Sequence, residues 1–185
     1  EKIMKLNIRK NSQKGFTLVE ILLVVGFIAL ASVGIYTIYN KVTVNNQANK
    51  ESRNLDTIRA GIKNLYGARN NYGGLSTAVV VQARLAPEEM RASATTLTNS
   101  FGGSVTITPH SFNNGTNNGF SIQTTLIPAE VCTKLASTAG VQFDEVVIGT
   151  TTVKQFGTNN LDPAAVAAQC ASAPPTGITM IFRSL

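Results

Sequence analysis

Phe16 to Tyr39 reads FTLVEILLVVGFIALASVGIYTIY, 24 residues carrying one charge, Glu20. As an α-helix this stretch is about 36 Å long, enough to cross a hydrocarbon core of about 30 Å. From Ile21 to Ile38 nothing is more polar than Ser32 or Thr37. Apolar character runs all round the helix, so it needs lipid or other helices about it. A buried core helix is the alternative, but 18 residues without a charge is long for one. Glu20 is the anomaly within the span. A carboxylate at mid-bilayer costs on the order of 3 kcal/mol and is tolerable when paired. It lies near the helix start, where the macrodipole favours negative charge and where the side chain can reach the interface. Its reading therefore divides between a local one and a cationic partner inside an assembly.

The flanks of this stretch give it a direction. Lys2, Lys5, Arg9, Lys10 and Lys14 stand against Glu1 in the first 15 residues, a net of +4 out of +6 for the 185-residue chain. The excess keeps the N-terminus on the cytoplasmic side, so the remainder is translocated. The same distribution leaves no basic patch on the body, and no specific nucleic-acid partner is expected. Lys50, Arg53, Arg59 and Lys63 read as a solvated face, or as rows pairing with neighbouring subunits.

Lys14-Gly15-Phe16-Thr17-Leu18-Val19-Glu20, after a basic leader and before the apolar run, resembles the class III signal of type IV pilins. The resemblance implies cleavage between Gly15 and Phe16 by a membrane aspartyl prepilin peptidase, with methylation of the new amine on Phe16. It implies that the Glu20 carboxylate meets the N-terminal amine of a neighbouring subunit as the filament grows. The chemistry is sensible on its own terms: Gly at the cut admits an extended backbone to a protease cleft, and the freed amine is the one cation available at that depth. The implied partners are further copies of the chain, the peptidase, an inner-membrane assembly platform and a cytoplasmic ATPase. The membrane is the partner before assembly, and the extracellular filament is the destination. Ala29-Leu30-Ala31 offers a rival cut for a conventional signal peptidase, releasing a protein that begins at Ser32. Glu20 interrupts the apolar run early and the run continues past the triplet, which counts against this. The chain starts with Glu1, and Met4 is a candidate initiator.

Beyond the span the helix continues. Leu55, Ile58, Ile62 and Leu65 keep a 3–4 spacing, with Asp56, Arg59 and Lys63 on the other side. No Pro occurs from residue 16 to 86, and Gly67 with Gly73-Gly74 marks the end, so one helix of about 50 residues is predicted. Gly26 and Gly34 are its weak points, each costing about 1 kcal/mol against Ala; they serve close packing or let the helix loosen in a filament. Further helices are predicted at 75–85, Pro87–Leu97, Pro128–Thr138 and Asp162–Ser172, with Asp162 as N-cap and Pro163 as first helical residue. Strands are predicted at Ser104–Thr108, Phe120–Ile127, Val146–Val153 and Ile178–Phe182, with Asn113–Gly119 as the loop joining the first two. The fold class is α+β, the pilin architecture of a long N-terminal helix whose C-terminal half packs on an antiparallel sheet. Its segments are a leader (1–15), an apolar helix (16–40), its amphipathic continuation (41–70) and a head (71–185).

Cys132 and Cys170 are the only cysteines, both beyond the span and hence in an oxidising compartment. A disulfide there would contribute about 3–4 kcal/mol; two free buried thiols are the alternative. The pair also resembles the disulfide-bounded C-terminal region of the family, most like subclass IVb, while the short leader and Phe16 look more like IVa. Catalysis has little support. The single His110 follows Pro109 in a polar loop and reads as a surface residue, and no Ser-His-Asp grouping, phosphate loop or dinucleotide turn can be nominated. Glu88-Glu89 suits a helix start, and no metal or cofactor is expected. The expected function is a structural major pilin, serving adhesion, aggregation or conjugative contact. A type II secretion pseudopilin, a minor pilin and a signal-anchored or secreted binding module are the other readings.

Overall fold

The computed structural model describes residues 15–67, 69 and 71–185. Of the basic leader, only Gly15 falls among them. Helix α1 spans Leu18–Tyr66, 49 residues without a break. Thr17 starts it: its Oγ1 accepts from the Glu20 N–H at 3.3 Å, and its carbonyl accepts from Glu20 and Ile21. These contacts satisfy first-turn donors that have no partner inside the helix. The described residues up to Lys41 form one compact unit and Val42–Leu185 a second. In the first, every residue from Gly15 to Tyr36 is exposed.

The second unit is built on a six-stranded sheet. Its strands are β1 (Leu97–Thr98), β2 (Ser104–His110), β3 (Gly119–Ile127), β4 (Glu145–Ile148), β5 (Thr151–Lys154) and β6 (Ile178–Ser184). Their spatial order is β1-β2-β3-β6-β4-β5, and every pairing is antiparallel. The strands alternate as a half-buried sheet requires. In β6, Ile178, Met180, Phe182 and Ser184 face inward and Thr179, Ile181 and Arg183 do not. Val105, Ile107, Phe120, Ile122, Val146 and Phe182 share one core with Ala48, Leu55, Ile58 and Ile62 of α1. The β3–β6 register shifts between Thr124 and Ile127. Leu126 adopts φ +58 there, and Gly177, at φ +90, passes close to its backbone; a side chain at 177 has no room.

Two short helices close the C-terminal region, α3 (Ala129–Ala139) and α4 (Pro163–Ala171). Asp162 caps α4 as the sequence predicts, its Oδ1 accepting from Ala164 and Ala165 N–H at 3.0 and 3.1 Å. Cys132 and Cys170 form a disulfide between the two helices, with Cα atoms 5.7 Å apart. The buried Lys154 ammonium donates to the carbonyls of Gly140 and Phe143 at 2.9 and 2.7 Å, placing a cation at the C-terminal end of α3.

Four sequence expectations need correction. Pro87–Leu97 is not a helix: after α2 (Thr77–Gln82) there is one 3-10 turn, Glu88–Met90. The Ser93 hydroxyl accepts from Thr95 and Thr96 N–H, an alternative to continued helix for those donors. Val146–Val153 is two strands, because Gly149 at φ +61 turns the chain. Leu65 is 51% exposed; Tyr66, one residue on, packs against the core instead. His110 ends β2 rather than lying in a loop.

The buried face of α1 also holds Glu51, fully enclosed. Its Oε2 accepts from the Ser100 N–H and hydroxyl at 3.4 and 3.2 Å, while Oε1 has no hydrogen-bond partner among the described residues. Burial holds this carboxyl above the usual carboxylate range; Ser100 and Lys50 oppose that, and Glu89 adds to it. A raised folded-state value means that Glu51 favours folding most at pH below the ordinary value of 4.5 and progressively less as pH rises through its own value. Glu51→Gln removes that charge. We expect its melting temperature to exceed the wild type at pH 7.5 by several degrees, at about 2–4 °C per kcal/mol, with the gap shrinking toward pH 4. Thermal melts of both forms in neutral detergent check this; equal midpoints at pH 7.5 contradict it.

Candidate subunit-assembly site

The residues singled out for processing and assembly sit at the start of α1. Gly15, Phe16 and Thr17 precede the helix and Glu20 lies in its first turn. The Glu20 carboxylate is exposed and makes no ion pair among the described residues. Large apolar side chains from Leu18 to Tyr39 are 49–77% exposed. At about 1.5–3 kcal/mol for each such side chain buried, the row represents tens of kcal/mol and cannot stand in water. An 18-residue window has a mean hydropathy of 2.6, so length and composition suffice to cross a membrane. A Cβ added at Gly26 or Gly34 meets nothing within 4 Å, so packing inside the subunit does not demand glycine at either. The structure brings Gly15, Phe16 and Glu20 to one helix end, with Gly26 and Gly34 further along α1. Cys132 and Cys170 belong to the other unit.

Of the four basic residues of α1 beyond Lys41, Lys50 and Arg59 are engaged and Arg53 is exposed. Lys50 pairs with Glu89 at 2.9 Å. Glu89 also accepts from the Asn54 amide at 3.0 Å, and these two hydrogen bonds hold its carboxyl below the usual range. From the first turn of the 3-10 helix Glu88–Met90 it thus also bridges to α1. Arg59 lies 3.6 Å from Asp56 and its guanidinium stands 5.7 Å from the Phe143 ring centre. Burial and the Arg59 charge lower the Lys63 value, and Asp144 opposes them. The Lys50 and Arg59 contacts are intramolecular.

His110 stands edge-on to Phe112, ring centres 4.7 Å apart, with Nε2 3.9 Å from Glu145, which Arg183 bridges at 2.9 Å. Burial and Arg183 lower its value, against Glu145. Sequence reasoning missed two buried ionisable groups, Glu51 and Lys154. Glu51 had a readable signal, since it lies three residues after Ala48 and four before Leu55 on the apolar stripe. Lys154 had none.

A long N-terminal helix, an antiparallel sheet sharing its core, and a C-terminal region closed by a disulfide are the features of the type IV pilin fold. Among solved structures, the fold matches a type IVb pilin from Salmonella typhi with a TM-score of 0.57 at 23% identity, covering 72% of this chain and 97% of that one. It also matches TcpA, a type IV pilin from Vibrio cholerae El Tor biotype, with a TM-score of 0.56 at 14% identity, covering 76% and 99%. The fold is therefore that of the type IV pilins. Within it, the chain belongs to the family described as PilS N terminal, whose model matches residues 45–185. It is 24% identical over 161 residues to the major structural subunit of bundle-forming pilus of Escherichia coli O127:H6 (strain E2348/69 / EPEC), covering 84% of this chain and 82% of that one. The same protein of Escherichia coli O111:H- is similar to the same extent.

Proposed function

We propose that the chain is a prepilin, cut between Gly15 and Phe16, whose mature form polymerises as the major subunit of a type IV pilus. The observation that carries this reading is an apolar helix exposed on all sides with a lone carboxylate in its first turn. The inner membrane holds the helix before assembly. In the filament the helix exchanges lipid for the helices of neighbouring copies, so its apolar surroundings change little. Direction comes instead from the assembly platform and its cytoplasmic ATPase. Register comes from Glu20 of one subunit and the Phe16 amine of another. Gly26 and Gly34 give the helix latitude to adjust as copies pack, each being costly in a helix interior by about 1 kcal/mol. Residues 1–15 serve as leader, 16–40 as membrane and filament-core helix, and 41–70 as its continuation. The head, 71–185, makes the outer surface and the contacts used in adhesion, aggregation or plasmid transfer. The name of the Escherichia coli relatives, a major structural subunit, favours the major-pilin reading.

The test is the first residue of the natural product. Mass spectrometry of sheared surface fibres should return a subunit starting at Phe16 with one added methyl group. A subunit starting at Ser32, or absence of this chain from the fibres, overturns the proposal.

A further inference from the structure

One cavity of the head has features that packing does not account for. It measures about 360 Å³ and opens to solvent, with Gln82, Arg84, Glu88 and Ser93 exposed. Its lining includes Gln82, Arg84, Glu88, Arg91 and Ser93, gathered from the end of α2, the 3-10 turn and the segment after it. Arg84 follows the C-cap of α2 at φ +55. Its N–H donates to the Val81 carbonyl and the next N–H, of Leu85, to Val80. This is the two-bond helix ending in which the left-handed residue is usually glycine. A long cationic side chain is strained at that position, and such strain is a pointer to function. The second observation is independent of the first. The Arg91 Nε is buried without a hydrogen-bond partner among the described residues. Neither guanidinium has an ion pair among the described residues. Among the described residues Glu88 is the one carboxylate on the lining, so the charged side chains there sum to one positive charge.

We propose that this cavity binds a small organic anion, its carboxylate or phosphate oxygens held between Arg84 and Arg91. A planar guanidinium pair suits either oxyanion, because each fork offers two donors to it. Gln82 supplies a neutral polar group for the rest of the ligand. Glu88 limits affinity for the anion and disfavours more highly charged ligands.

Equilibrium dialysis of the full chain in neutral-detergent micelles, at low salt, tests this with labelled inorganic phosphate, glucuronate and glucose. Saturable binding of about one phosphate or one glucuronate per chain is expected, and which of them binds identifies the oxyanion. Arg84→Gly places the residue that this backbone prefers, so the fold is retained while affinity falls at least tenfold. Arg91→Gln should fall similarly, and Glu88→Gln should bind a few-fold more tightly. Absence of binding by both anions, equal binding of glucose, or wild-type affinity in a folded Arg84→Gly protein overturns the proposal.

Discussion

Cells making Glu20→Ala in place of the wild type are expected to accumulate subunit that starts at Phe16 and stays in the membrane, yet to yield few or no fibres. Removing one partner from a buried ion pair costs about 3–5 kcal/mol, and each 1.4 kcal/mol is a factor of ten. On the proposed pairing of Glu20 with the Phe16 amine, the loss per subunit contact exceeds a hundredfold and recurs at every addition. The local role of Glu20 is much smaller. It lies in the first turn of α1, where a negative charge is worth about 0.3–1 kcal/mol, and the cap made by Thr17 uses the Glu20 backbone rather than its carboxylate. Helix fraying thus cannot account for a hundredfold defect. Glu20→Gln keeps a hydrogen-bond acceptor without charge and should fall between the two. The measurements are the amount of fibre sheared from cells, membrane-fraction immunoblots and the N-terminal mass. Wild-type fibre yield from Glu20→Ala would leave the carboxylate with only its local role.

Replacing both cysteines with serine should lower the melting temperature of the head by about 8–16 °C. The bridged residues are 38 apart in sequence, for which the chain-entropy model gives about 4 kcal/mol, at about 2–4 °C per kcal/mol for a chain of this size. The structure shows where the loss falls. α3 buries Val131, Cys132, Leu135, Ala136 and Ala139, whereas α4 buries only Val166 and Cys170. With so little apolar surface of its own, α4 depends on the bridge to stay on α3. Cleavage between Gln155 and Pro175 should therefore accelerate more than cleavage in the sheet, and reductant applied to the wild type should reproduce both effects. Calorimetry with limited proteolysis checks this; a variant that melts with the wild type excludes the disulfide as the main clamp on α4.

Long, uninterrupted patterns were the ones readable from sequence. The apolar run from Phe16 to Tyr39, followed by pro-less chain to residue 86, specifies a helix because every local preference along it agrees. Asp162-Pro163 marked the start of α4 for the same reason: cap chemistry acts within three residues and needs no distant partner. Segments with divided preferences were read less well. Val146–Val153 is rich in strand formers, but one glycine at φ +61 folds it into two strands. Pro87–Leu97 starts like a helix, but Ser93 diverts the backbone after one turn.

Amino-acid order alone determined the long apolar helix, its lone carboxylate and the α+β class. Each depends on neighbours along the chain or on composition, so the physics is local. Tertiary structure bore out the bridge expected between Cys132 and Cys170, and it alone decided that Glu51 is enclosed beside Ser100, that Arg59 rests on Phe143, and that the strands order as β1-β2-β3-β6-β4-β5. The first three join residues 38, 49 and 84 positions apart, and the free energy that selects them comes from burying one shared core rather than from any single segment.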